Sequence, residues 1–269
     1  MKALAIFLLA GLLLWPMAQA AQAAAAFNPF KEAGIDRKPD AQIPFDLPLR
    51  DENGNAVTLR QLAQDKPLVL VPVLHNCPNI CGVTLAGLAQ SIAAQTLKPG
   101  QDFNVVAFGI DPKEGPADAK GDLARLRQAF PKLPQQGIHA VTGDAKTVAA
   151  VTKALGYRYA WDEQLGQYAH IAAVAVLSSQ GKLSRWLYGV TFEPNDLKLA
   201  LVDAGNGKVG DWTDQILLLC YHYDPVTGRY GSIIWGLLRI GGGLTVLVGA
   251  GWVGLAILRE RRRRKAGPP

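Results

Sequence analysis

The feature that most constrains this fold is a pair of short apolar runs without a charged residue. One run lies on each side of a segment with helical periodicity. Residues 68–74 and 103–110 form the runs, and such continuous runs are typical of strands covered on both faces. Apolar residues recur at roughly helical spacing over 80–97, and Pro99-Gly100 ends the predicted helix. A strand, a helix and a second strand predict a parallel βαβ unit.

The remaining segments extend this unit into an α/β protein with a central mixed sheet. A hairpin around the turn 51–55 precedes the unit, and a second hairpin, with strands at 168–177 and 182–188, closes it. Between them the pattern predicts the following elements: a helix at 117–130, a strand at 138–141 and a helix that Asp144 caps and that reaches residue 155. A last helix begins at residue 196.

The two ends of the chain have sequences typical of export and membrane anchoring. Residues 1–26 combine Lys2, a short apolar run and small-residue cleavage sites, which predicts a signal peptide. Residues 233–258 are interrupted by one charge, Arg239, and the uncharged part is long enough to span a bilayer. The basic tail, 259–269, is expected to stay cytoplasmic. A soluble body at 27–204 and a connector at 205–232 remain.

The basic net charge of the whole chain comes from residues at its two ends. Lys2, Arg239, six basic tail residues and Glu260 lie there, which leaves 20 basic and 21 acidic residues in the body and connector together. The charge is therefore no argument for a nucleic-acid partner. Three cysteines in the exported part allow one disulfide and one leftover thiol. A cysteine-stapled miniprotein is excluded, because about 200 residues can bury a core unaided.

The motif Cys77-Pro78-Asn79-Ile80-Cys81 follows the first apolar strand and opens the predicted helix. A cysteine at a helix N-terminus has a lowered pKa, and residues four apart share one helix face. Two thiolates placed in this way can chelate a soft ion such as Cu(I). A structural disulfide or a simply buried pair remains the alternative interpretation.

Three segments, taken in order, resemble the Sco/SenC family. Residues 69–81 are similar to its strand and C-P-x-x-C motif, residues 107–112 to its V-D-P strand end, and residues 168–170 with 180–182 to the segment that carries its copper histidine. A lone histidine such as His170 is more often structural, and only the resemblance makes it a ligand. Gly82 departs from the proline usual in the family, and the C-terminal span is an addition to the common N-terminal anchor.

The resemblance implies a thioredoxin-like fold with copper, as Cu(I) or Cu(II), held by Cys77, Cys81 and His170. It also implies a chaperone that is not an enzyme and that delivers copper from a donor protein to the CuA-bearing subunit II of cytochrome c oxidase. The chain would cross the inner membrane once, with its soluble body in the periplasm and its C-terminus in the cytoplasm.

Two other functions remain open on this fold. One is a thiol–disulfide reductase that keeps the CuA cysteines reduced, although such pairs normally have the closer CxxC spacing. The other is a peroxidase, which would need one activated cysteine. Three further residues are weaker candidates: Cys220 and His222 for a second copper relay or an oxidase contact, and His75 for tuning or transient binding of the ion.

Overall fold

The computed structural model describes residues 27–76, 81–206, 221–225 and 227–265. The predicted signal peptide lies outside these residues. The chain divides into two compact units, one comprising Met1–Asp36 with Gly156–Ile171 and the other Arg37–Leu155 with Ala172–Pro269. The two units are called the smaller and the larger unit below.

The described elements alternate between strands and helices through most of the chain. The strands are β1 (Gly34–Ile35), β2 (Leu49–Asp51), β3 (Ala56–Val57), β4 (Leu68–Val73), β5 (Asn104–Gly109), β6 (Ile138–Thr142), β7 (Tyr157–Arg158), β8 (Ala160–Asp162), β9 (Gln167–Ala169), β10 (Ala173–Leu177), β11 (Leu183–Tyr188), β12 (Tyr221–Asp224) and β13 (Arg229–Ser232). The helices are α1 (Pro29–Glu32), α2 (Leu59–Ala63), α3 (Cys81–Ala93), α4 (Pro116–Ala129), α5 (Ala145–Leu155), α6 (Pro194–Ala204) and α7 (Ile233–Lys265).

A mixed sheet forms the core of the larger unit. Among the described residues it has seven strands in the order β11-β10-β4-β5-β6-β2-β3. Strands β4, β5 and β6 are parallel, whereas β10 is antiparallel to β4, β11 to β10 and β2 to β6. The predicted βαβ unit and the mixed sheet are confirmed.

The central strands are buried along their whole length. All six residues of β4 and all six of β5 are buried, as continuous apolar runs predict. Asp144 caps α5 as expected, because its Oδ1 accepts the backbone N–H of Thr147 at 2.7 Å. Gly181, at φ 80°, forms the turn between β10 and β11 with its N–H bonded to the Ser178 carbonyl at 2.9 Å.

The closing hairpin is shorter than the sequence predicted. Its first strand begins at Ala173, and residues 167–169 instead pair with Ala160–Asp162 in the smaller unit. The prediction that residues 168–177 form one strand was therefore wrong. The alternation of Tyr168, His170 and Ala172 fits a strand of either sheet, and periodicity alone cannot reveal a change of partner.

The C-terminal part contains a further hairpin, β12–β13, and a long helix. Strands β12 and β13 pair antiparallel within the predicted connector, and β13 is followed directly by α7. Within α7, Arg239–Ile257 is long and apolar enough to cross a membrane, with a mean hydropathy of 1.8 and no buried residue. Large apolar side chains on this stretch are exposed, as in Leu247 and Trp252.

Candidate metal centre

The two cysteines of the motif lie between the end of β4 and the start of α3. Cys81 is the first residue of α3, at the positive end of the helix. Cys77 and the side chain of Cys81 lie outside the described part of the chain. Their assignment as metal ligands therefore stays a prediction.

The residue before Cys77 is held by side chains from the next βα connection. The Asn76 backbone N–H donates to Glu114 Oε1 at 2.8 Å, and the Asn76 amide donates to Asp118 Oδ1 at 2.7 Å. Burial raises the pKa of Glu114, although the N–H of Asn76 opposes this shift. Asn76, the residue before Cys77, is thus fixed to α4 and to the turn before it.

His75, two residues before Cys77, is fully buried, with both ring nitrogens bonded. Nδ1 lies 3.1 Å from Asp122 Oδ2, and Nε2 lies 3.0 Å from the Val141 carbonyl oxygen. Burial disfavours the charged imidazole, but these acceptors outweigh it and raise the pKa of His75. Because both partners only accept hydrogen bonds, both nitrogens donate. His75 therefore has no lone pair for a metal ion in this arrangement, and its role is structural.

The pocket around His75 is completed by Gly109 and Arg125. A Cβ added to Gly109 would lie 3.0 Å from the His75 ring and 3.2 Å from the Val141 carbonyl oxygen, so the ring packs closely against this glycine. Arg125 Nη2 donates to the His75 carbonyl at 2.6 Å and lies 3.4 Å from Asp122 Oδ1. The carboxylate of Asp122 thus lies between two cations, which secures the end of β4 to α4.

His170 lies between β9 and β10, at the end of the smaller unit. The Tyr157 hydroxyl lies 2.7 Å from the Ile171 carbonyl oxygen and 3.1 Å from His170 Nδ1. The hydroxyl has one proton, which it donates to the carbonyl at the shorter distance, so it accepts the Nδ1–H of His170. The lone pair of the neutral ring is then on Nε2, the nitrogen through which His170 would bind a metal ion.

The surroundings of His170 favour the neutral ring that a metal ion requires. Burial lowers the pKa of His170, and the hydrogen bond to the Ile171 carbonyl opposes this shift only in part. Neutral imidazole binds both Cu(I) and Cu(II). The burial of His170 is therefore consistent with its predicted role.

The described side chains contain no group of three His, Cys, Asp or Glu residues that could hold a metal ion. Cys220 is outside the described residues, and His222 belongs to β12 with its side chain undescribed. His139 Nδ1 lies 3.9 Å from Glu52 Oε1. None of these three residues gains support as a ligand from the structure.

Sequence reasoning missed the residues that position the candidate ligands. Asp118, Asp122 and Arg125 recur at spacings of four and three, which places them on one face of α4 and could have indicated a polar contact. Tyr157 had no such signal, because its contact with His170 depends on the path of the chain through β7, β8 and β9.

Comparison with known proteins identifies the class and then the family. Two crystal structures from Aquifex aeolicus VF5, of a candidate electron transfer protein and a candidate electron transport protein, are both 25% identical to this chain. They align over 63% of this chain and 95% and 99% of theirs, with TM-scores of 0.55 and 0.52. Copper-bound ScoI of Arabidopsis thaliana is 21% identical, with a TM-score of 0.49 over 61% of this chain and 97% of its own.

The fold of the larger unit, with βαβ followed by an antiparallel hairpin and a helix, is thioredoxin-like. The family model described as SCO1/SenC matches residues 34–200, more than half of the chain, and the chain belongs to this family. The expected family is thereby confirmed. Comparison with curated proteins gave no match.

Proposed function

We propose that this SCO1/SenC protein is a membrane-anchored copper chaperone that binds copper through Cys77, Cys81 and His170. The observation that carries the proposal is His170, a half-buried histidine whose Nδ1–H is bonded to Tyr157 and whose lone pair is on Nε2. Membership of a family that handles copper for cytochrome c oxidase supports the same assignment. Copper is the cargo of this protein, and the role requires no catalysed reaction.

The proposed ligand set suits an ion that must be received and released. Two thiolates bind Cu(I) strongly, and an imidazole nitrogen accepts either oxidation state of copper. The positive end of α3 favours the thiolate form of Cys81. The hydrogen bonds of His75 and Asn76 would hold the two residues before Cys77 in place while the ion is bound.

The proposed recipient is the CuA centre in subunit II of cytochrome c oxidase, with a separate protein as copper donor. The helix α7 supplies an anchor, and the basic residues after it favour a cytoplasmic C-terminus and a periplasmic body. This arrangement would place the metal site on the side of the membrane where an exported CuA domain is found.

The ligand set is tested by anaerobic titration of the full-length protein in detergent with Cu(I), with stoichiometry read by mass spectrometry. We expect one tightly bound copper per chain, and a loss of affinity of several orders of magnitude in Cys77→Ser, Cys81→Ser and His170→Ala. Cys220→Ser is the matched control and retains the copper. With Cu(II), an intense sulfur-to-copper charge-transfer band is expected in the wild type and not in Cys77→Ser/Cys81→Ser.

The same variants separate copper holding from thiol reduction. A reductase would lose activity toward oxidised client thiols in both cysteine variants, and His170→Ala would barely matter. A chaperone loses oxidase assembly in cells in all three. Unchanged copper binding in His170→Ala, or rescue of that strain by added reductant, would identify Cys77 and Cys81 as a redox pair.

A further inference from the structure

A cavity of about 610 Å³ lies in the larger unit between β11 and the hairpin β12–β13. Its wall contains the aromatic side chains of Trp186, Tyr188, Tyr223 and Tyr230, and its rim contains basic residues. This volume is within the range of cavities that bind small molecules. The proposed copper site does not use it.

The hairpin that forms one side of the cavity is fixed to the sheet by specific hydrogen bonds. The Tyr223 hydroxyl accepts the backbone N–H of Trp186 at 3.2 Å and donates to the Trp186 carbonyl oxygen. The backbone N–H of Tyr230 donates to Asp196 Oδ1 at 3.2 Å. The cavity is therefore built into the fold.

The cavity has more positive than negative charge. Arg37, Lys38 and Arg185 line it together with one carboxylate, Asp203, which pairs with Arg185 at 3.0 Å. Arg185 also lies over the Tyr223 ring, 4.9 Å from its centroid. Within the described ranges, no carboxylate forms an ion pair with Arg37 or Lys38. Lys38 Nζ donates one hydrogen bond to the Lys153 carbonyl oxygen at 2.5 Å, which leaves two of its three N–H groups for an anion. The rim thus has two exposed cations that can bind an anion.

The chain itself brings this cavity close to the membrane. Strand β13, which contains Tyr230, ends at Ser232, and α7 begins at the next residue. The candidate span begins at Arg239, which is about 10 Å further along a helix. The headgroup layer on each side of a bilayer is roughly 5–8 Å thick. The hairpin therefore ends near the outer edge of the headgroup layer.

We propose that this cavity binds the headgroup of an anionic phospholipid from the leaflet on the N-terminal side of α7. Arg37 and Lys38 contact the phosphate, since guanidinium and ammonium groups are the side chains that bind phosphate best. Trp186 and the tyrosines pack against the glycerol part, in the manner of aromatic residues at membrane interfaces. The proposal rests on the membrane span and does not depend on copper binding.

The experiment measures lipid binding to the full-length protein in detergent by native mass spectrometry. The probes are dioctanoyl phosphatidylglycerol, dioctanoyl phosphatidylcholine and inorganic phosphate. We expect one phosphatidylglycerol bound per chain in preference to phosphatidylcholine, and weaker binding of phosphate alone. Each basic side chain near an anionic membrane surface contributes roughly fivefold in affinity, so Arg37→Gln/Lys38→Gln should bind phosphatidylglycerol roughly 30-fold more weakly.

Lys132→Gln/Lys146→Gln is the matched control, because it removes the same charge from exposed positions elsewhere in the larger unit. It should bind phosphatidylglycerol as the wild type does. Equal losses in the two double variants would overturn the proposal, as would phosphate binding as tight as lipid binding. Copper stoichiometry, measured on the same samples, should be unchanged in Arg37→Gln/Lys38→Gln, so failure here is distinguishable from failure of the chaperone proposal.

Discussion

Two histidines in this protein have opposite environments and therefore different roles. His75 donates from both nitrogens to Asp122 and Val141, which favours the charged ring and removes it as a ligand. His170 is half-buried, its Nδ1 lies close to a hydroxyl and a carbonyl oxygen, and its pKa is lowered. The partner groups, more than burial itself, decide which histidine can bind metal.

Tyr157 is therefore expected to position His170 for copper binding. Tyr157→Phe removes the hydroxyl that accepts the Nδ1–H, so the ring loses its fixed tautomer and orientation. Loss of such an outer contact typically lowers metal affinity 10–100-fold. Competition with a Cu(I) chelator of known affinity measures the change, and thermal melting of the copper-free protein checks the fold.

Tyr159→Phe is the control for this prediction, because Tyr159 belongs to the same aromatic cluster, with its ring centroid 6.3 Å from that of Tyr157. It should bind copper within about twofold of the wild type. Equal affinity of the wild type and Tyr157→Phe would show that His170 does not depend on this hydroxyl.

The candidate ligands can be proposed from the sequence, whereas the residues that support them cannot. Cys77 and Cys81 are recognisable because a short local pattern contains them. Asp122 and Tyr157 contact their histidines at separations of 47 and 13 residues, so only the folded chain brings each pair together. The side chains that tune a site are therefore harder to predict than those that form it.

At the scale of elements, the position of Cys81 depends on how closely α3 packs. Gly87 lies in the middle of this helix, and a Cβ at this position would be 1.9 Å from the Val190 carbonyl oxygen. Because that neighbour is backbone, no rotamer change can relieve the contact. The glycine is thus required for α3 to approach the chain that follows β11.

Gly87→Ala should therefore destabilise the protein by about 3 kcal/mol, since the helix must move away from the backbone of Val190. In Gly121→Ala, on α4, the new Cβ has only Arg125 Nη1 at 3.5 Å, and relief of the glycine penalty should stabilise the protein by up to about 1 kcal/mol. Urea unfolding followed by tryptophan fluorescence measures both variants. Equal effects of the two substitutions would contradict the close packing of α3.

The element order was largely predictable because β4 and β5, which are buried along their whole length, are continuous apolar runs in the sequence. The exception, residues 168–170, lies where the chain leaves one unit for another. The hairpin β12–β13 was not predicted either, because its polar and aromatic sequence is typical of a linker. Only the folded structure shows that Tyr223 and Tyr230 are bonded to β11 and α6. Tertiary contacts, and not local propensity, determine both segments.

At the scale of the whole molecule, the hairpin β12–β13 that precedes α7 is hydrogen-bonded to the rest of the larger unit. Tyr223 and Tyr230 fix the hairpin to β11 and α6, and β13 continues directly into the helix. Burial raises the pKa of Tyr223 to about 12, so its hydroxyl remains a donor at all physiological pH values. The candidate span is thus connected to the sheet through a hydrogen-bonded hairpin.

The orientation of that anchor is the last prediction. Six basic residues, Arg259 and 261–265, follow the span, and such clusters stay on the cytoplasmic side. An alkaline phosphatase fusion after Gly205 should therefore be active, because the enzyme folds only outside the cytoplasm, and a fusion after Lys265 should be inactive. Replacement of residues 261–265 by glutamine should raise the activity of the second fusion, while the same number of substitutions on the exposed surface of the body should not. An inactive fusion at Gly205 together with an active one after Lys265 would reverse the topology, and with it the proposed delivery of copper to an exported CuA domain.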